Sequence, residues 1–234
     1  MSPLGGMVSG YRGGGVGDSG GGGGALPTVV SHVSSVNLAT TATINTTGAT
    51  ILIIGVSWHI TEGTVSDSKS NTWTQGILRQ GDPSRQGVRI WYAANPTVGT
   101  GHTFSASGMS AGVLAVVAVA GIVTTSPYDQ QNGSSFAGDG TTTTRSPGSV
   151  TPTQNREFLV AFYGIDDPSG STFSVDSGFT ILEQADVNPG AWHGGVLATL
   201  AQSTAAAINP TLTRSVAGTS GKTDNSVIAT FKAA

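Results

Sequence analysis

Cysteine is absent from the 234 residues, so neither a disulfide nor a thiolate metal site can contribute to stability. Charge is scarce as well. Asp, Glu, Lys and Arg make up 10% of the chain and the formal net charge is -3, against about 25% charged residues in ordinary soluble domains. Such a chain exerts no long-range pull on nucleic acid or on an anionic bilayer, and neither is expected as a partner. No charged segment leading into a continuous apolar one opens the sequence, so no secretory signal is read there. The longest apolar run, AGVLAVVAVAGIV at 111–123, is shorter than the ~20 residues a helix needs to cross a membrane. Its β-branched content reads instead as a buried central strand.

Chemical motifs are equally sparse. The chain has no Walker loop, no nucleotide-binding βαβ unit and no basic stripe with interleaved aromatics. The four histidines, His32, His59, His102 and His193, stand apart, with no pair at metal-ligand spacing. Two acidic stretches, SDSKSN at 66–71 and IDDPSGS at 165–171, have the composition of turns whose Asx side chains bond the local backbone. Neither supplies the regularly spaced oxygen ligands of a calcium loop, although Asp166 and Asp167 are the pair that could hold a surface ion. No cofactor and no metal are expected.

What is abundant is glycine, and it is concentrated. Glycine fills half of the first 24 positions. It costs more backbone entropy to order than other residues and offers no side chain to bury, so residues 1–26 read as an arm that is flexible in the free chain. The arm contains Gly-Asp-Ser-Gly-Gly at 17–21, the surroundings of the nucleophile in trypsin-like proteases. Ser19 is not read as one: in that chain order a histidine and an aspartate precede the serine, and the first histidine here is His32. The glycines themselves, Gly13, Gly14, Gly15, Gly22 and Gly23, are the candidate partner-binding positions, because they permit close backbone approaches.

From Leu26 onward, short segments dense in Val, Ile, Thr and aromatics alternate with Gly, Pro, Asn, Asp and Ser clusters, the pattern of an all-β domain. Strands are expected near 28–39, 49–59, 72–80, 88–95, 102–107, 112–121, 157–165, 179–185, 194–202, 209–215 and 226–233. The two halves also resemble each other. ILIIGVSWHI aligns with EFLVAFYGID, VRIWYAAN with GVLATLAQ, HTFSAS with PTLTRS and VLAVVAVAG with SVIATFKAA, in the same order and offset by roughly 106 to 113 residues. Two such halves, about 49–121 and 157–233, cannot each cover both faces alone. Packed face to face they make one two-sheet antiparallel β-sandwich of jelly-roll or Greek-key type over 27–234, with a shared core about 10 Å thick. The polar segment 132–155 is read as the connection between halves.

Of the four tryptophans, Trp73 and Trp91 lie in strands beside apolar neighbours and are assigned to the core. Trp58, and Trp192 in the turn NPGAWHGG, are the candidates for a glycan contact. The succession TVSDSKSNTWTQ, RIWYAANPTVGTGHTFSAS, an apolar strand, SPYDQQNGSS and SGFTILEQ resembles β-sandwich proteins of bacteriophage virions and bacterial surfaces, over about residues 28–233. The resemblance implies no catalytic residues. Together with the scarce charge, the glycine-rich arm and the absence of chemical motifs, it points to a non-enzymatic structural protein at the virion surface, a capsid decoration (cement) or tail-accessory subunit. Such a subunit would be held by its arm to other virion proteins and to copies of itself. The alternative is a carbohydrate-binding or host-adhesion module, extracellular or on a bacterial cell surface, with a host glycan as partner. A hydrolase would require a carboxylate pair or a Ser-His-acid cluster within bonding reach.

Overall fold

A computed structural model describes residues 24–37, 39–82, 85–138, 140–168, 170–186 and 193–234. The arm glycines 13, 14, 15, 22 and 23, Ser19 and Trp192 lie outside the described residues. The chain is all-β, with no helix among the described residues.

Seven strands make up the first half: β1 (Thr28–Val36), β2 (Ile51–His59), β3 (Thr64–Asp67), β4 (Thr74–Arg79), β5 (Gln86–Ala94), β6 (Phe104–Ser107) and β7 (Ser110–Ala120). Eight make up the second: β8 (Tyr128–Ala137), β9 (Thr144–Arg145), β10 (Glu157–Asp166), β11 (Phe173–Val175), β12 (Thr180–Asp186), β13 (His193–Gln202), β14 (Leu212–Arg214) and β15 (Thr223–Lys232). Each half builds one five-stranded antiparallel sheet, ordered β1-β7-β2-β5-β4 in the first and β8-β15-β10-β13-β12 in the second. Each adds a small outer sheet, β3-β6 or β11-β14-β9. The two large sheets share one strand order, β1-β7-β2-β5-β4 matching β8-β15-β10-β13-β12, and in each half the small sheet covers the outer face of the large one. The aligned sequence segments therefore fall in equivalent strands, β2 with β10, β5 with β13, β6 with β14 and β7 with β15, although the core-facing alternation sets β2 against β10 and β7 against β15 one residue away from the sequence pairing.

Three hydrophobic layers follow. The two large sheets pack face to face around Ile51, Ile53, Val88, Ile90, Val117, Phe158, Val160, Phe162, Leu197, Val227 and Phe231. The outer face of the first sheet buries Leu52, Ile54, Val56, Trp58, Trp91 and Phe104 under β3-β6. The outer face of the second buries Leu159, Tyr163, Ile165, Phe179 and Leu212 under β11-β14-β9. Because side chains alternate along a strand, β2 and β10 must be apolar on both faces, which is why ILIIGV and EFLVAF run almost without a polar break. At Gly55 the ring of Phe162 from the opposite sheet leaves no room for a Cβ, so glycine there sets the closeness of the two sheets.

The segment 132–155, expected as a connection, contains strand residues. Its first part completes β8, and Thr144–Arg145 forms β9. The strand is polar because it lies at a sheet edge with residues such as Gln130, Gln131 and Asn132 only partly covered or exposed, so it lacks the apolar alternation by which strands are recognised. β3 and β11 were too short to give a period. All four edge strands of the two large sheets, β1, β4, β8 and β12, meet their neighbours with a register shift. Such bulges spoil an edge as a template for adding further strands.

Candidate functional site

Polar side chains collect at the end of the inter-sheet core where β2 and β10 finish and β5, β13 and β15 begin. The core-facing alternation of β2 runs Ile51, Ile53, Gly55, Ser57, His59, and that of β10 runs Phe158, Val160, Phe162, Gly164, Asp166. His59 and Asp166 thus hold equivalent places. Their register partners, Gln86 on β5 and His193 on β13, are equivalent too. Both halves place a polar pair at the same mouth. The rings of His59 and His193 stack with centroids 4.6 Å apart. Gln86 Nε2 donates to the Ile165 carbonyl at 3.2 Å, and Asn225 Nδ2 donates to the Gln86 carbonyl at 2.7 Å. These bonds tie one sheet to the other. Asp166 Oδ2 accepts the Thr223 N–H, while Asp166 Oδ1 lies 3.7 Å from His193 Nδ1 and 3.9 Å from Lys222 Nζ.

Burial dominates the protonation of this mouth. It holds the Asp166 carboxyl above its ordinary range. It pushes His193 down to about 4, with the neighbouring His59 and Lys222 acting in the same direction. His193 is therefore neutral when folded. At the opposite end, burial followed by the nearby Asp129 pushes the Glu157 carboxyl up to about 7.

The two groups oppose each other in pH dependence. Unfolded His193 takes up a proton near its usual 6.5 and folded His193 does not, so its contribution is full above pH 6.5 and lost on acidification toward 4. Glu157 does the reverse: its contribution is full below 4.5 and lost as pH rises to 7. Each amounts to about 3 kcal/mol. Replacing His193 by Gln, the residue the first half already carries at this place, should unmask the acid side. The unfolding free energy of the variant should then fall steadily between pH 4.5 and 7 in urea titrations, while the parent protein changes much less. A variant profile parallel to the parent's would refute the assignment.

Two further polar clusters lock the outer layers. In the first half Asp67, at the end of β3, accepts from the Lys69 N–H at 2.8 Å, Asn71 Nδ2 at 3.0 Å, Trp73 Nε1 at 2.8 Å and His102 Nε2 at 2.9 Å. Burial raises its carboxyl, but the bonds from His102, Lys69 and Trp73 outweigh it and leave Asp67 below the usual range. His102 Nδ1 meets Thr46 Oγ1 at 2.9 Å. The Thr46–His102–Asp67 chain has the order of a hydroxyl-imidazole-carboxylate relay, yet Thr46 and His102 are fully buried and the Asp67 side chain is at 0% exposure. It clamps the layer and presents no hydroxyl to a substrate.

In the second half Asp224 on β15 accepts from Arg145 Nε on β9 at 2.7 Å and from the Asp166 N–H at 2.7 Å, with Arg214 Nη1 of β14 at 3.5 Å. Arg145, Arg214 and Asp224 are all buried.

Trp58, a candidate for a glycan contact, is corrected by the structure: it is 0% exposed, packed in the outer core of the first half. Its place follows from alternation, since Leu52, Ile54, Val56 and Trp58 share one face of β2. Trp91 is buried, and Trp73 packs on the same core with its indole N–H on Asp67. The SDSKSN stretch is an Asx-bonded turn around Asp67. In IDDPSGS, Asp166 points into the mouth, and Asp167 accepts the Thr219 hydroxyl at 2.6 Å. The mouth itself was not read from the sequence, although His59 and Asp166 each extend the core-facing alternation of an apolar strand. No group of three or more His, Asp or Glu positioned for a metal ion occurs among the described residues, and no helix among them is long and apolar enough to cross a membrane. Comparison with protein-family models, curated proteins and solved structures gives no match for this chain.

Proposed function

We propose that the chain is a non-enzymatic structural subunit of a virion, a capsid decoration or tail-accessory protein, attached to its neighbours through the glycine-rich N-terminal segment. The observation that carries this reading is where the scarce charge goes. Asp67, Arg145, Glu157, Asp166, Arg214 and Asp224 are buried side chains, most of them in clusters that fasten one layer to the next. The surface that remains is largely Ser, Thr, Asn and Gln. A stacked body with three cores and blunted sheet edges suits a role in which the domain stays rigid and exposed. An adaptable segment then does the attaching.

Removing residues 1–26 tests the reading. The truncated chain should remain folded and soluble with an unchanged unfolding midpoint, and should no longer sediment with the particles that incorporate the full chain. Undiminished incorporation of the truncated protein would sink the proposal.

A further inference from the structure

The rim opposite the polar mouth carries a second arrangement, made by β8, β15 and β10 where β10 begins and β15 ends. Glu157, the first residue of β10, lies opposite Lys232 of β15 on one side and Gln202 of β13 on the other. It is 0% exposed; the Thr230 hydroxyl and the Gln154 N–H lie close to its carboxyl and favour its charged form, but neither makes a well-formed hydrogen bond to it. The charge beside it is that of Asp129 on β8, whose side chain is 5% exposed and whose chain neighbour Gln130 bonds through its N–H to the Thr230 hydroxyl of β15 at 3.1 Å. Asp129 is held as a carboxylate: Thr153 donates to it from its N–H at 2.8 Å and from its hydroxyl at 2.7 Å, and Lys232 Nζ lies 3.6 Å away. Arg156, the chain neighbour of Glu157, also carries charge at this rim. Its guanidinium packs against Gly24, occupying the space that a Cβ there would take.

A buried carboxyl beside a fixed carboxylate has one favourable state. Two like charges in a dry site repel strongly, whereas one shared proton turns the contact into a charge-assisted hydrogen bond. Lys232 and Thr153 stabilise the charge on Asp129, so the proton resides on Glu157.

We propose that Asp129 and Glu157 form a proton-operated latch: the protonated pair ties β8 to β10 across the end of β15, and loss of the proton opens this rim. The latch lies at the root of the N-terminal segment, because Gly24 rests on the residue next to Glu157. It is a property of the folded body and holds whatever that segment binds.

Amide hydrogen exchange on the full chain tests it, after correction for intrinsic rates, at about pH 5.5 and about pH 8.5. The reporting amides are Lys232, bonded to the Pro127 carbonyl, Val123, bonded to that of Lys232, and Arg156, bonded to that of Ser203. Their protection should fall about tenfold or more at the higher pH, while the centre of β2 and β10 keeps its own. Glu157→Gln should retain rim protection at both values, and Asp129→Asn should shift the loss away from neutrality. Rim protection independent of pH, or an equal loss in Glu157→Gln, would overturn the proposal. So would a carbon-detected titration of the unaltered protein that placed the Glu157 carboxyl at an ordinary glutamate value.

Discussion

Asp224→Ala should remove most or all of the folded state. The carboxylate holds Arg145 at 2.7 Å and the Asp166 N–H at 2.7 Å, with Arg214 at 3.5 Å, in a site where all three charged side chains are at most 3% exposed. Without it, two guanidiniums stay buried with no counter-charge among these contacts. Breaking a buried pair from one side costs about 3–5 kcal/mol, and here a backbone hydrogen bond is lost with it. A domain typically has only about 5–15 kcal/mol in total. Urea titration of the variant should show a midpoint near zero denaturant or no transition. Replacing Asp224, Arg145 and Arg214 together by leucine, which removes the stranded charges, should restore a cooperative transition. A single Asp224→Ala variant that loses less than about 1 kcal/mol would show that the cluster is solvated rather than a lock.

The sequence shows why such a cluster is hard to foresee. Arg145 sits in TTTTRSPGS and Arg214 in NPTLTRS, both among turn-like polar residues, and Asp224 lies 10 residues beyond Arg214. Nothing in their spacing along the chain brings them together. The small sheet β11-β14-β9 does, by placing two of its strands over β15. The large sheets were legible for the opposite reason: β2, β5, β7, β10, β13 and β15 are apolar on both faces and announce themselves by composition alone. Likewise the resemblance between halves lay in those strands, and it was readable because both copies face the same inter-sheet core. Edge strands such as β8 and short outer strands such as β3 and β11 gave no comparable signal, since a half-exposed strand of Gln, Asn and Ser has the composition of a loop. Trp58 was misplaced for a local reason. Read as an exposed aromatic, it is the outward continuation of Leu52, Ile54 and Val56, and the layer that covers it comes from β3 and β6, about which β2 itself carries no information.

The first half has its own lock, and Asp67→Ala should reveal it as a loss of about 3–5 kcal/mol. Removing this carboxylate strands the His102 imidazole N–H and the Trp73 indole N–H, while the Asn71 amide keeps only its bond to the Thr97 carbonyl at 3.1 Å. Because Trp73 and Phe104 pack edge to face at 6.3 Å and His102 stacks on Phe104 at 4.3 Å, the damage should spread through the outer core beneath β3 and β6. It should stop at the large sheet, since β2, β5 and β7 are held on their other face by the inter-sheet core. Hydrogen exchange should therefore show amides of β3, β6 and the 40–46 segment losing protection, with β10, β13 and β15 changing only as global stability does. A double-mutant cycle between Asp67→Ala and His102→Ala should return a coupling of about 1–3 kcal/mol. Thr46→Val should cost less than either, because it removes a neutral hydroxyl rather than a buried carboxylate or imidazole, although the Gly99 N–H loses its acceptor. If the cycle were additive, Asp67 and His102 would be neighbours without a shared role. If exchange rose equally in both halves, the outer layers would not be independent units built on the same plan.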